Sequence, residues 1–254
     1  IRTYSDNELK RILNIATLQN KGGIKISKIA ELSEAEISEK ILQLSGGELD
    51  YPEHIQAITV AMMDLDEYRF QVLAKSITDA YGFENFMLKV IYPFLTRLGT
   101  LWLSGSVGPA QEHFITHLIR QKIIAAIDSQ MAKPKANAKK FLLYLPEGEM
   151  HEIGLLFYQY LLRSKGYYTY YLGQSLPFDS LVDCIARLQP TVVLSSWLTA
   201  VDQHFIVGYF KQLHNDAPNV RYIAGGAQIH THSKALEGLL TEVKNSASLL
   251  SHFE

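Results

Sequence analysis

The chain has 254 residues, 47% of them hydrophobic and 20% charged, with a formal net charge of -2. Such proportions suit a globular chain of one large domain or two smaller ones, and they exclude a strong overall field that would attract nucleic acid. One cysteine, Cys184, excludes an intramolecular disulfide and fits a reducing cytoplasm, while no apolar run approaches the roughly 20 residues that span a membrane and no secretory segment opens the chain.

Residues 1–45 carry short helical patterns. Ser5 with Glu8 forms a capping box ahead of "LKRILNIATL", where Leu9, Ile12, Leu13 and Leu18 recur at helical spacing, and Gly22 and Gly23 end that helix. "IKISKIAELS" predicts a short helix with Ile26 and Ile29 facing inward. Ser33 with Glu36 caps another, which carries Ile37, Ile41 and Leu42. So few large apolar residues make a thin core, and the block looks incomplete by itself. "SGGELD" then reads as a linker.

Residues 52–131 show no strand-like alternation. The pattern predicts four helices, at 52–63, 66–81, 84–103 and 109–130, separated by "DLD", "YGF" and "SGSVGP". Pro109 suits the first turn of the last helix, where its missing N–H does little harm. Four helices with short connections predict an antiparallel bundle.

After the polar linker "KPKANAKK", residues 138–254 alternate apolar runs with helical patterns. The runs are "FLLYL" (141–145), "YTYYL" (168–172), "TVVLSSW" (191–197) and "VRYIAGG" (220–226), with the last helices after Gly226. Gly166, Pro190 and Pro218 fall where the intervening helices should end. Near-continuous apolar strands separated by helices predict a doubly wound parallel sheet, a Rossmann-like or flavodoxin-like α/β fold.

Ligands of such sheets bind beyond the carboxyl ends of the strands. This chain places Glu149, His151 and Gly154 after the first run, and Gly173, Gln174 and Ser175 after the second. Ser195, Ser196, Trp197 and Leu198 follow the third, and Gly225 and Gly226 the fourth. One metal-competent imidazole thus stands among small residues that let a bulky ligand approach backbone. Glu149 can accept from one ring nitrogen of His151, fixing the tautomer and raising the basicity of the other.

Each element alone has a plainer reading. E-x-H-x-x-G fits a solvated histidine at a helix start, Gly225–Gly226 a turn, and Ser195–Ser196 a strand end. There is no G-x-G-x-x-G after the first run and no P-loop. Cys184 sits on the inward side of a helical pattern and reads as an inert thiol. In the bundle, His113 and His117 share a helix face, but two ligands fall short of a structural zinc site. Trp102 would by default be core, and Glu112 and His113 solvated surface.

The set of motifs resembles the cobalamin-binding modules: a D/E-x-H-x-x-G element, here Glu149 to Gly154, an S-x-L element, here Ser196–Trp197–Leu198, and the glycine pair Gly225–Gly226, all after a helical cap. Trp102, nine residues, then Glu112–His113 resembles the W-x9-E-H motif of the light-sensing, adenosylcobalamin-binding regulators of the MerR family, the CarH and LitR type. "IRTYSDNELKRILNIATLQNKGGIKISKIAELS" resembles the second half of a MerR winged-helix domain, with Arg2 and Tyr4 at the wing. The first residue is Ile1, so a longer protein is expected, and the helix-turn-helix half would lie there; this piece alone is expected to bind DNA poorly.

The resemblance implies three parts: a partial winged-helix domain over 1–45, a four-helix cobalamin cap over 52–131 and a Rossmann-like cobalamin-binding domain over 138–254. It implies adenosylcobalamin as cofactor, with Trp102 over the adenosyl ligand, Glu112 contacting it and His113 available to cobalt after photolysis. His151 would be the lower axial ligand, and the cofactor's nucleotide tail would run past Ser196 and Gly225–Gly226. The expected protein is a non-enzymatic, cytoplasmic homo-oligomer, a tetramer when loaded, that represses transcription in the dark. A corrinoid carrier for methyl transfer and a cofactor-free interaction domain are the alternative readings. The family often has Asp where Glu149 stands, and the adjacent serines leave two frames for the S-x-L element.

Overall fold

The computed structural model describes residues 11, 12, 14–16, 18, 19, 23–33, 36, 37, 39, 40, 51–103, 105–130 and 137–244. The chain divides into two compact units, Ile1–Ile119 and Arg120–Glu254. The Ser5–Glu8 box, Arg2, Tyr4, Leu9, Leu13, Gly22, Ile41, Leu42 and the 45–50 linker lie outside the described residues.

In the first unit, helical positions between 11 and 19 and the short helix α1 (Ile26–Ile29) share a small cluster of Leu18, Ile29 and Ile37, edged by Ile15, Ile24 and Leu32. The expectation that Ile26 faces inward with Ile29 is corrected: Ile29 is buried, whereas Ile26 is 55% exposed. A single turn against so narrow a cluster buries one residue. The Ser33–Glu36 capping box forms as expected, with Ser33 N donating to Glu36 Oε2 at 2.8 Å and Glu36 N to Ser33 Oγ at 3.3 Å.

The bundle helices follow: α2 (Tyr51–Met63), α3 (Glu67–Tyr81), α4 (Phe83–Asn85) running through a π-helical stretch, Phe86–Ile91, into α5 (Tyr92–Leu103), and α6 (Pro109–Asp128). Their apolar stripes bury Phe70, Leu73, Phe86, Val90, Phe94 and Ile115. Asp66 caps α3 by accepting from Arg69 N at 2.9 Å. The π stretch was not predicted. Pro93 follows it closely; the proline ring excludes the carbonyl of Lys89 and removes an N–H donor, and a widened turn accommodates both.

The second unit is a five-stranded parallel sheet of order β2-β1-β3-β4-β5, from β1 (Lys140–Pro146), β2 (Tyr168–Leu176), β3 (Val192–Ser196), β4 (Arg221–Gly225) and β5 (Thr241–Val243). The connecting helices are α7 (Ile153–Ser164), α8 (Phe178–Leu188), α9 (Gln203–Asp216) and α10 (Ala227–Thr231). Both faces are covered, which is why the strands read as near-continuous apolar runs. Phe141, Leu143 and Leu194 pack with Leu155 and Leu162 of α7; Leu142, Tyr144, Val193 and Trp197 pack on the opposite face with Ile206 and Phe210 of α9. Cys184 is half-buried at the edge of that second cluster.

Two details depart from the predicted pattern. β5 lies where only helices were expected, because "TEV" is too short to show a period. β2 runs four residues further, to Leu176, through register shifts after Leu143 and Tyr144. Gly173, Gln174 and Ser175 therefore belong to the irregular strand end, with φ of 79° at Gly173 and 50° at Ser175. The strand order puts the topological switch point between β1 and β3, so the crevice for a ligand opens where those two strands end. Among the described residues no helix is long and apolar enough to cross a membrane.

Candidate functional site

β1 ends at Pro146, a turn closes with Glu149 N donating to Pro146 O at 2.9 Å, and α7 starts only at Ile153. His151 thus stands in the loop at the mouth of the sheet and not within the helix. Its side chain is 63% exposed, while that of Glu149 is 4% exposed.

Glu149 is the hub of the crevice. Its Oε1 accepts from His151 Nδ1 at 2.6 Å, His151 N at 3.0 Å and Thr199 Oγ1 at 3.1 Å. Its Oε2 accepts from Leu198 N and Thr199 N, each at 2.7 Å. One carboxylate therefore ties the loop after β1 to the loop after β3. Burial raises its pKa, but the backbone N–H groups of Thr199, His151 and Leu198 and the His151 ring outweigh it, and the balance lies at about 2. An ionised carboxylate only accepts, so Nδ1 of His151 carries a proton and Nε2 is the ring nitrogen left to serve as a ligand. The extra methylene of glutamate relative to aspartate costs no closeness: the contact to the ring is 2.6 Å.

The loop is pinned on its other side too. Ser175 N donates to Glu149 O at 3.1 Å, Gln174 Nε2 to Met150 O at 2.6 Å, and Gly148 N to Ser175 Oγ at 3.1 Å. Gln174 thus supports the histidine loop. Glu152, 5% exposed, accepts from Arg120 Nε of α6 and from Tyr171 Oη of β2. Burial, and then that hydrogen bond, push the Tyr171 phenol far above its usual range, so it remains a donor.

The pleat separates the two serines. Ser195 Oγ accepts from Trp197 Nε1 at 2.9 Å, on the face where Trp197 meets Tyr209 and Phe210 edge-on or tilted. Ser196 projects to the other face, level with Gly225 of β4. Leu198 is 42% exposed at the rim, and Gly154 lies half-buried in the first turn of α7. The glycine pair has distinct tasks. A Cβ on Gly226, whose φ is 104°, would lie 2.3 Å from Trp197 O and 2.8 Å from Trp197 N and C. Its space is taken by the backbone leaving β3, which also donates Trp197 N to Gly225 O at 2.9 Å. At Gly225 a Cβ would meet the Tyr158 hydroxyl at 3.1 Å.

On the helical unit, Trp102 at the end of α5 is 54% exposed, a departure from the core default. His113 Nδ1 lies 2.6 Å from Glu112 Oε2, with side-chain exposures of 70% and 29%. His117 follows on the same face, the two rings 6.3 Å apart. Among the described residues no three of His, Cys, Asp or Glu converge on a metal position.

Sequence reasoning missed Thr199, Glu152, Arg120 and Tyr171. Thr199 directly follows the S-x-L element and Glu152 fills a variable place of the histidine motif, so both were within reach of closer reading. Arg120 and Tyr171 meet Glu152 from 32 and 19 residues away, which no local pattern signals.

The family profile "B12 binding domain" matches residues 54–126, the helical bundle. The chain is 24% identical over 254 residues to the HTH-type transcriptional repressor CarH of Myxococcus xanthus, covering 95% of this chain and 82% of that protein. It is 25% identical over 258 residues to the repressor CarA of the same organism, covering 98% and 82%. In fold it resembles the monomethylamine corrinoid protein of Methanosarcina barkeri, with a TM-score of 0.67, 16% identity and coverage of 79% of this chain and 97% of that one. Residues 54–126 thus match the B12 binding domain, and nearly the whole chain is similar to these two HTH-type transcriptional repressors.

Proposed function

We propose that this chain is part of an adenosylcobalamin-dependent, light-sensing transcriptional regulator, in which cofactor and light govern oligomerisation and, through it, DNA binding. The observation that carries the reading is the buried Glu149 holding Nδ1 of the exposed His151 at the switch point of the sheet. A single imidazole nitrogen suits a metal whose other positions are filled by its own chelate, as in a corrinoid. Bound adenosylcobalamin supplies a cobalt–carbon bond that light can cleave.

The chain's own residues divide the work. His151 offers Nε2 as lower ligand, and Glu149 keeps the ring in that tautomer. Gln174 and Ser175 hold its loop. Gly154, Ser196, Leu198 and Gly225 line the course of the nucleotide tail, while Ser195 and Gly226 hold Trp197 and the β3 end behind it. Trp102, Glu112 and His113 are assigned to the upper ligand; the exposure of Trp102 and the Glu112–His113 pair support this. The reading is of a cytoplasmic, non-enzymatic protein, a tetramer when loaded, whose region 1–45 belongs to a MerR-type DNA-binding domain, 52–131 to the cap and 138–254 to the cobalamin-binding sheet. Likeness to two repressors over nearly the whole chain supports it.

The test is to load the protein with adenosylcobalamin in darkness and record its absorbance and mass before and after green light. A light-dependent spectral change and a fall in mass are expected; a spectrum unmoved by light overturns light sensing. A His151→Ala variant that binds cobalamin equally tightly, with the cofactor's own base on cobalt, overturns the axial assignment. A corrinoid carrier would share this sheet, and its signature would be methyl transfer with a partner methyltransferase and indifference to light.

A further inference from the structure

Glu152, directly after His151, is a second buried carboxylate whose side chain does not cap its own helix. It turns back to Arg120 Nε and, at 2.7 Å, Tyr171 Oη. A carboxylate so buried is tolerated when charged and hydrogen-bonding partners meet both its oxygens. With Glu149 tied to the β3 loop and Met150 O to Gln174, every residue of the 149–152 loop is anchored on both sides of His151. Arg120 belongs to α6, and the chain two residues past that helix is fastened as well: Arg163 Nη2 donates to Gln130 O at 3.1 Å and Gln130 Nε2 to Tyr160 O at 3.2 Å.

We infer that Arg120 and Tyr171 are positioning residues for His151, acting through Glu152, so that these two side chains set how the imidazole is presented. The part of the inference that treats His151 as a metal ligand rests on the proposed function; the part that concerns the loop does not.

The experiment compares Arg120→Ala, Arg120→Lys and Tyr171→Phe with Arg163→Ala, which removes the contact to Gln130 without touching Glu152. Backbone hydrogen exchange is measured in the cofactor-free protein over residues 149–153 and over β3, and adenosylcobalamin affinity and the dark spectrum in the loaded one. Arg120→Ala should raise exchange at the His151 amide about tenfold over β3, weaken cobalamin binding about 10- to 100-fold and move the spectrum away from imidazole coordination. Arg120→Lys should recover most of this, and Arg163→Ala should show neither effect. Should Arg120→Ala not fold, Tyr171→Phe, isosteric without its donor, serves in its place. Exchange that is unchanged, or raised uniformly over the unit, overturns the inference, as does a local rise with affinity and spectrum unaltered. If the unaltered protein takes up no cobalamin, the proposed function falls, and exchange alone decides the positioning role.

Discussion

Replacing Glu149 with glutamine preserves shape and removes one acceptor oxygen and the charge. In the wild type five donors converge on that carboxylate: His151 N, His151 Nδ1, Thr199 Oγ1, Thr199 N and Leu198 N. If the amide oxygen takes the Oε1 place, the NH2 group faces the N–H groups of Leu198 and Thr199, donors against a donor. If it takes the Oε2 place, the NH2 group instead faces His151 N–H and the protonated ring nitrogen. Either way two charge-assisted hydrogen bonds are lost, each worth about 1.5–3 kcal/mol. Relaxation of the two loops returns part of that, leaving a cost of about 3 kcal/mol. At a urea dependence of about 2 kcal/mol per molar, the midpoint should fall by about 1.5 M. The fluorescence of buried Trp197 in a Trp102→Phe background isolates the sheet unit, since the chain has two tryptophans. The gap should also depend on pH. Folding depresses the Glu149 pKa from 4.5 to about 2, so its contribution is present above about pH 4.5 and fades as pH falls toward 2. Wild type and variant should therefore converge over that window. Midpoints within about 0.3 M of each other at pH 7, or a gap that does not narrow in acid, would refute the hub.

The adjacent glycines should respond unequally. Gly226→Ala combines a left-handed φ with a Cβ driven into the Trp197 backbone, about 3–5 kcal/mol together, and should lower the thermal midpoint by about 10 °C or more; Gly225→Ala, whose Cβ would meet the Tyr158 hydroxyl at 3.1 Å and the Val243 carbonyl at 3.3 Å, should cost about 1–2 kcal/mol, and equal melting would contradict the assignment. In the helical unit Arg69 is 1% exposed, none of its three guanidinium nitrogens has a hydrogen-bond partner among the described residues, and Asp64 Oδ2 lies at 3.9 Å. Arg69→Met should therefore raise stability by about 1–3 kcal/mol, read as a higher thermal midpoint, and a fall would show that the buried guanidinium is compensated.

How much of this was legible in the sequence follows from the range over which each feature is specified. The strands β1 to β4 were visible because both faces of a parallel sheet are covered, so every position in a run such as "FLLYL" must be apolar. The bundle helices were visible through their period and their breaks, within one or two residues. The π turn before Pro93 and the three-residue β5 were not, since each is shorter than the window in which a period declares itself. The site shows the same division. Glu149 and His151 are two residues apart, and their pairing could be anticipated from chemistry alone. The donors that make Glu149 a hub come from 49 and 50 residues away, and only the adjacency of β1 and β3 delivers them. The two serines of the S-x-L element, whose frame is open in the sequence, are separated by the pleat: a strand alternates, Trp197 is large enough to require the core, and Ser195 on its side becomes its partner. Ser196 is thereby turned to the face it shares with Gly225. The same logic reassigns Gly226. A glycine pair at a strand end suggested room for a ligand, yet the nearest atoms to a Cβ there are the Trp197 carbonyl, carbon and nitrogen. The small residue is needed to seat the β3 loop whose N–H groups Glu149 collects, so it acts on His151 at one remove, through the backbone that presents those donors.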